Sequence, residues 1–230
     1  MSMGDKELDK GQIDSPVAPL RQAAQELNRN FFNPEAVTNF QQAFWQVPRG
    51  GEGFTFDIPP LSATSEQLKK PFIDIEGREL LPLTIYIPEE LRGKEGLIKL
   101  GKMFPELGSY SVKEGTPIED VYHRTGYIRV EGVIDSPNPN TNEDQLRKHF
   151  NSQGVLGQRL ITYIIASRQM KIIKGQYPDQ GTTWSRLLGS RGDGRAVCAH
   201  CLPGGRVHVD RGLGPRDRGA SLGARSEEVL

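Results

Sequence analysis

Leu20, Ala23, Ala24 and Leu27 recur at i, i+3, i+4 and i+7, which puts one apolar stripe on a helix expected from about Val17 to Asn30. A second helix is expected to open at Asn33-Pro34-Glu35. Asn33 can cap free N–H groups, Pro34 suits the first helical position, and Glu35 complements the positive end of the helix dipole. Val37, Phe40 and Phe44 continue at helical spacing, so the pair reads as a helical hairpin joined at Phe31-Phe32-Asn33.

Pro48 and the glycines at 50, 51 and 53 end this helix, and the period then changes to two. Phe72 to Ile75 and Leu80 to Ile87 flank Glu76-Gly77-Arg78, a hairpin pattern. Pro82 places the second strand at an edge or a bulge. Pro88 to Leu91 begins a short helix, and Glu95 to Phe104 is another. Tyr127 to Ile134 is the clearest strand, with Ile128, Val130 and Ile134 on one face and Tyr127, Arg129 and Glu131 on the other. Ser136-Pro137-Asn138-Pro139-Asn140 stops it. Asn142-Glu143-Asp144 opens a further helix. The strongest helical pattern runs from about Val155 to Lys174, with Leu156, Leu160, Ile161, Ile164 and Ile165 on one face and Gly175 as its stop.

Composition changes the picture at about Tyr177. From Pro178 to Leu230 there is no Phe, Tyr, Met, Ile, Asn or Lys, and the tail's basic residues are eight Arg against ten Arg and eleven Lys before it. These absences follow codons rich in A and T, so the tail reads as translated GC-rich DNA: a shifted frame, an alternative final exon or a fusion junction. Rich in Gly and Arg, it is expected to be disordered and open to proteolysis between Tyr177 and Gly194. Residues 1–15 are polar and charged, and are expected to be disordered as well.

The formal net charge is zero, but it is unevenly spread. Met1 to Asp144 carries 23 acidic and 15 basic residues, whereas Gln145 to Tyr177 carries six basic residues and no acidic one. No run of 18 apolar residues occurs, so no transmembrane helix is expected. The acidic start lacks the apolar core of a secretory signal, and both cysteines lie in the tail, so an intracellular, cytoplasmic location is the expectation.

Five features could carry chemistry. The basic block holds Arg147, Lys148, Arg159, Arg168, Lys171 and Lys174, and fixed positive charge without neighbouring acids suits an anionic partner. Arg168, Lys171 and Lys174 follow at spacings of three and share a face, whereas Arg159 falls on the opposite side. The bland alternative is a core helix with solvated cations. The second feature is Asp120-Val121-Tyr122-His123-Arg124, where His123 could serve as acid or base and Arg124 could hold an anion. A His beside a strand is also an ordinary packing residue. The third, Arg49-Gly50-Gly51-Glu52-Gly53, has the reverse order of a phosphate loop and reads as a connector. The fourth is Cys198-Ala199-His200-Cys201 with His208, in which Cys198 and Cys201 have the spacing of a metal or dithiol pair but lack a second such pair. The fifth, Arg191-Gly192-Asp193, is a chance triplet in an Arg/Gly-rich tail.

The chain is therefore expected to be an α+β protein. A small, mainly antiparallel sheet is covered by an N-terminal helical hairpin and a C-terminal helix within residues 16–177, and a disordered tail follows over 178–230. The 16–177 domain is open to being truncated at its C-terminus. The functional expectation is a non-enzymatic structural or interaction protein that meets a protein partner or a polyanion through 145–174, with no cofactor and no metal. The alternative is an enzyme with a site near His123 and Arg124.

Overall fold

The computed structural model describes residues 18–46, 56–104, 118–210 and 213–230. The expected N-terminal arm and the Arg49–Gly53 connector lie outside the described residues.

Helices α1 (Ala18–Arg29) and α2 (Pro34–Gln46) form the expected hairpin, and the Asn33 side chain accepts from Ala36 N at 2.9 Å. A short α3 (Ser65–Lys69) has a reciprocal cap between Thr64 and Gln67. Strands β1 (Phe72–Ile73) and β2 (Glu79–Leu80) pair antiparallel across the predicted turn, where Gly77 has φ +82°. Strand β3 (Pro82–Ile87) is an edge strand, as Pro82 requires, and α4 (Gly93–Met103) follows. Strands β4 (Ile118–Asp120) and β5 (Gly126–Glu131) precede α5 (Glu143–Gln153), which has a capping box between Asn142 and Gln145 and ends at Gly154 in the left-handed region.

The strongest helical pattern divides in two. Leu156–Gly157 is a short strand, β6, and helix α6 runs from Leu160 to Lys174. Gly157 explains the break. A Cβ there would lie 2.4 Å from the Leu188 Cβ, so this close approach of extended backbone admits only glycine. Helix α6 also differs from expectation in having no solvent face over most of its length: Leu160 through Met170 are all buried. A helix buried on every side needs internal partners for its polar residues. Gln169 exchanges hydrogen bonds with Gln41 (2.9 and 2.7 Å), and Ser167 Oγ donates to Tyr163 O at 2.6 Å.

The segment expected to be a disordered tail is instead structured. It forms β7 (Trp184–Gly192), β8 (Arg195–Cys201), β9 (Val207–Asp210), β10 (Leu222–Ala224) and β11 (Ser226–Val229). Strands β7 and β8 turn at Asp193-Gly194, both with positive φ (52° and 77°), the backbone that a two-residue hairpin loop requires. This places Arg191-Gly192-Asp193 at a hairpin, with Arg191 paired to Glu143. One sheet has the order β10-β7-β8-β9, with β4 also on β7. The other is β3-β5-β11-β6, so tail strand β11 lies between two strands of the body. The sheets meet where Gly189 N donates to Gln158 O, and α6 packs against strands of both. The apolar area comes from Leu187, Val197, Ala199, Cys201, Val207 and Val209, which join the main core. Small β-branched and aliphatic residues thus supply the burial that composition alone denied to the tail.

Candidate functional site

The turn that carries the acid–base candidates lies between β4 and β5. His123 and Arg124 are both exposed, with His123 over Gly93, and the Arg124 carbonyl accepts from Arg159 Nη1 at 2.7 Å. Beneath this turn is an enclosed polar network. Glu227 of β11 accepts from Arg159 N (3.0 Å), Arg159 Nε (2.8 Å) and Thr162 Oγ1 (2.5 Å). The Arg159 guanidinium also stacks 4.9 Å from the Tyr122 ring centre, and Tyr122 Oη donates to Gly157 O at 2.6 Å. Asp120 accepts from Ser190 Oγ, which itself accepts from Leu160 N at 2.8 Å. These groups close the N-terminus of α6, where helix N–H groups lack intrahelical partners. Burial raises the Asp120 carboxyl to about 7, against the opposing effects of the Ser190 hydrogen bond and the Arg159 charge.

A second network surrounds Asp179. Asp179, buried and with φ 55°, accepts from Tyr163 Oη (2.9 Å), Thr183 Oγ1 (2.8 Å), Ser185 Oγ (2.6 Å) and Arg225 Nη2 (3.0 Å). Arg225 further donates to the carbonyls of Val133 and Ile134. Burial opposes the charge of Arg225, but the Asp179 carboxylate holds its pKa above the ordinary value. Nearby Glu131 accepts from Ser226 Oγ at 2.7 Å, and burial lifts its carboxyl to about 7. The sequence reading missed this network and the first one, because each pairs residues far apart in the chain. The available signal was an unusual one: Arg225 and Glu227 alternate with Ala224 and Ser226 beside apolar positions.

The basic block is spread over several roles. Arg159 is enclosed with Glu227. Arg168 is buried, donates to Tyr177 Oη at 2.6 Å and lies over the Phe104 and Tyr177 rings. Lys171 is half-buried, lies over the Tyr177 ring and donates to Gly175 O at 3.1 Å. Lys174 is half-buried and donates to Gly132 O, and burial lowers its pKa. On α5, Arg147 and Lys148 are exposed, with Arg147 paired to Glu143 at 2.8 Å.

Cys198 and Cys201 are three residues apart on one strand, so their thiols lie on opposite faces. Cys198 lies beside Arg186, whereas Cys201 lies under α6 next to Ser167 and Tyr163. Their spacing suits chelation from a turn, but a strand separates them. His200 and His208, in contrast, are brought together as cross-strand partners. Among the described residues no group of three or more His, Cys, Asp or Glu is gathered for a metal ion. A shallow hollow of about 30 Å³ is lined by Lys70, Phe72, Gln153, Val155, Ser226 and Glu228, room for little more than one or two waters.

No helix among the described residues is long and apolar enough to cross a membrane. Comparison of the chain with protein-family models, with curated proteins and with solved structures gives no match.

Proposed function

We propose that the chain is a non-enzymatic structural or interaction protein that meets a protein partner or an anionic surface through the segment 145–174. The observation that carries this reading is the division of labour among the cations of that segment. Arg159 and Arg168 are enclosed and bind other parts of the fold, whereas Arg147, Lys148, Lys171 and Lys174 keep open surface. The contact uses these four, since a buried guanidinium cannot release counterions by meeting a phosphate or a carboxylate.

The test is binding to heparin and to anionic vesicles at low salt. The double variants Arg147→Gln/Lys148→Gln and Lys171→Gln/Lys174→Gln each report one end of the segment. Salt-sensitive binding that falls in either variant, with the fold intact, supports the reading. Wild type that does not bind at low salt overturns the anionic contact and leaves the structural role.

A second reading, an enzyme with a site near His123 and Arg124, draws on one observation. Asp120, three residues before His123, has its carboxyl raised to about 7, and groups poised near neutrality recur at catalytic sites. Turnover in a substrate panel that is lost in both His123→Ala and Asp120→Asn would carry it. The first reading is preferred because the Asp120 carboxyl is enclosed below the turn while His123 is exposed above it.

A further inference from the structure

One row of side chains crosses the outer face of the tail sheet. Trp184 of β7, His200 of β8 and His208 of β9 lie side by side, with His200 and His208 in direct cross-strand register. The Trp184 and His200 rings are 3.7 Å apart between centres, Trp184 and His208 5.4 Å, and His200 and His208 5.3 Å at an interplanar angle of 60°. Trp184 and His200 are half-buried, and His208 is exposed.

His200 Nε2 is enclosed by protein and has no hydrogen-bond partner. A buried polar atom in that state calls for an occupant, commonly a water or an ion. The ring spacing narrows the choice. Imidazole nitrogen binds zinc at about 2.0–2.1 Å, and the ring centre lies about 1.1 Å further along the same line. Two imidazoles on one tetrahedral ion therefore have centres about 5 Å apart. The observed 5.3 Å, the spacing of ordinary cross-strand neighbours, lies close to this value, and exposed His208 can turn its ring to uncover His200 Nε2 and admit the ion.

We propose that His200 and His208 chelate a single divalent ion of borderline softness, such as Zn²⁺, Ni²⁺ or Cu²⁺, against the wall formed by Trp184, with waters completing the shell. Imidazole is the ligand type these ions share. A metal binds the unprotonated imidazole nitrogen, so binding should weaken as the solution is acidified. No third protein ligand closes on the pair among the described residues, so binding is reversible and of moderate strength. Cys198 takes no part, because its enclosed thiol is engaged by Arg186.

The experiment titrates the full chain with Ni²⁺ and Zn²⁺ by calorimetry and with Cu²⁺ by tryptophan fluorescence. The chain has two tryptophans, and Trp45 is buried in the main core, so quenching through this site depends on Trp184. The expected result is saturable binding of one ion per chain in the micromolar range. His208→Ala should weaken it at least tenfold and His200→Gln comparably. Trp184→Phe should keep the calorimetric binding and lose most of the quenching. His123→Ala and His149→Ala, the remaining histidines, should leave both signals unchanged. Because His208 is exposed, His208→Ala keeps the fold, which its circular dichroism spectrum checks. Wild-type binding absent below millimolar metal, or equal affinity in wild type and His208→Ala, overturns the proposal.

Discussion

Arg159 and Glu227 meet across the compositional boundary of the chain, with Nε 2.8 Å from Oε1 and side chains only 2% and 0% exposed. The same carboxylate takes the Arg159 N–H and the Thr162 hydroxyl, so it closes the start of α6. Removing its charge leaves an enclosed guanidinium uncompensated, which typically costs about 3–5 kcal/mol. Glu227→Gln is therefore expected to lower the urea midpoint steeply. Arg92→Gln, which breaks only the exposed Arg92–Glu89 pair, is expected to leave it unchanged. Equal midpoints for wild type and Glu227→Gln would refute the structural role of this pair.

The tail is expected to be indispensable to the fold. A chain ending at Tyr177 would leave Arg159 without Glu227, Tyr163 without Asp179, Glu131 without Ser226, and β5 without β11. Such a truncation should show no cooperative thermal transition by circular dichroism, whereas the intact chain should. In limited trypsin digestion of the intact chain, first cuts within the tail are expected at exposed Arg206, Arg216 or Arg218, and enclosed Arg186 and Arg225 should be cut only on unfolding. Early cutting at Arg186 with a stable 1–177 core would contradict the fold described here.

The local signals in the sequence were reliable where the chain makes its own contacts. Asn33, Asn142 and Gly175 mark helix ends as read, and Pro82 lies on an edge strand. Reading failed where residues distant in the chain decide the outcome. The tail has few large apolar residues, but Val197, Val207 and Val209 alternate inward, and the Asp193-Gly194 pair is itself a hairpin signal that composition obscured. Arg225 and Glu227 carried no local signal, because their partners, Asp179 and Arg159, lie 46 and 68 residues away. The basic block was legible as charge, but not as the mixture of enclosed and open cations that α6 produces. The histidine pair was partly legible: His200 and His208 were noticed with the cysteines, but only strand register separates the imidazoles from the thiols.

Both thiols should be silent in the folded chain. Burial raises Cys198 to about 12 and Cys201 to about 11, and both side chains are fully enclosed. The thiolate is the reactive form, so little of it exists at pH 8. Ellman's reagent at pH 8 should label neither residue until denaturant is added, and then both. Rapid labelling of either thiol without denaturant would show that the β8 faces open readily.

Glu131 and Asp120 set an unusual pH dependence. Burial raises each carboxyl to about 7, from ordinary values of 4.5 and 3.8. At a pH between the ordinary and the raised value, the folded chain holds a proton at each site that the unfolded chain has released. Stability from these sites is therefore complete below the ordinary value, falls as pH rises toward 7, and levels off above it. Displacements of that size correspond to about 3 kcal/mol for Glu131 and about 4 kcal/mol for Asp120, taken as upper figures. Partners temper both shifts: Ser226 and Arg225 favour the charged form of Glu131, while Ser190 and Arg159 favour that of Asp120. Gln mimics the neutral acid, so Glu131→Gln should lose this site's slope. The variant should gain on wild type by about 2–3 kcal/mol between pH 5 and pH 8 in urea titrations. Asp120→Asn should act likewise, and the two effects should add, because the groups belong to separate networks. Parallel stability profiles for wild type and Glu131→Gln across that range would show that Glu131 is ionised in the folded chain, balanced by Arg225.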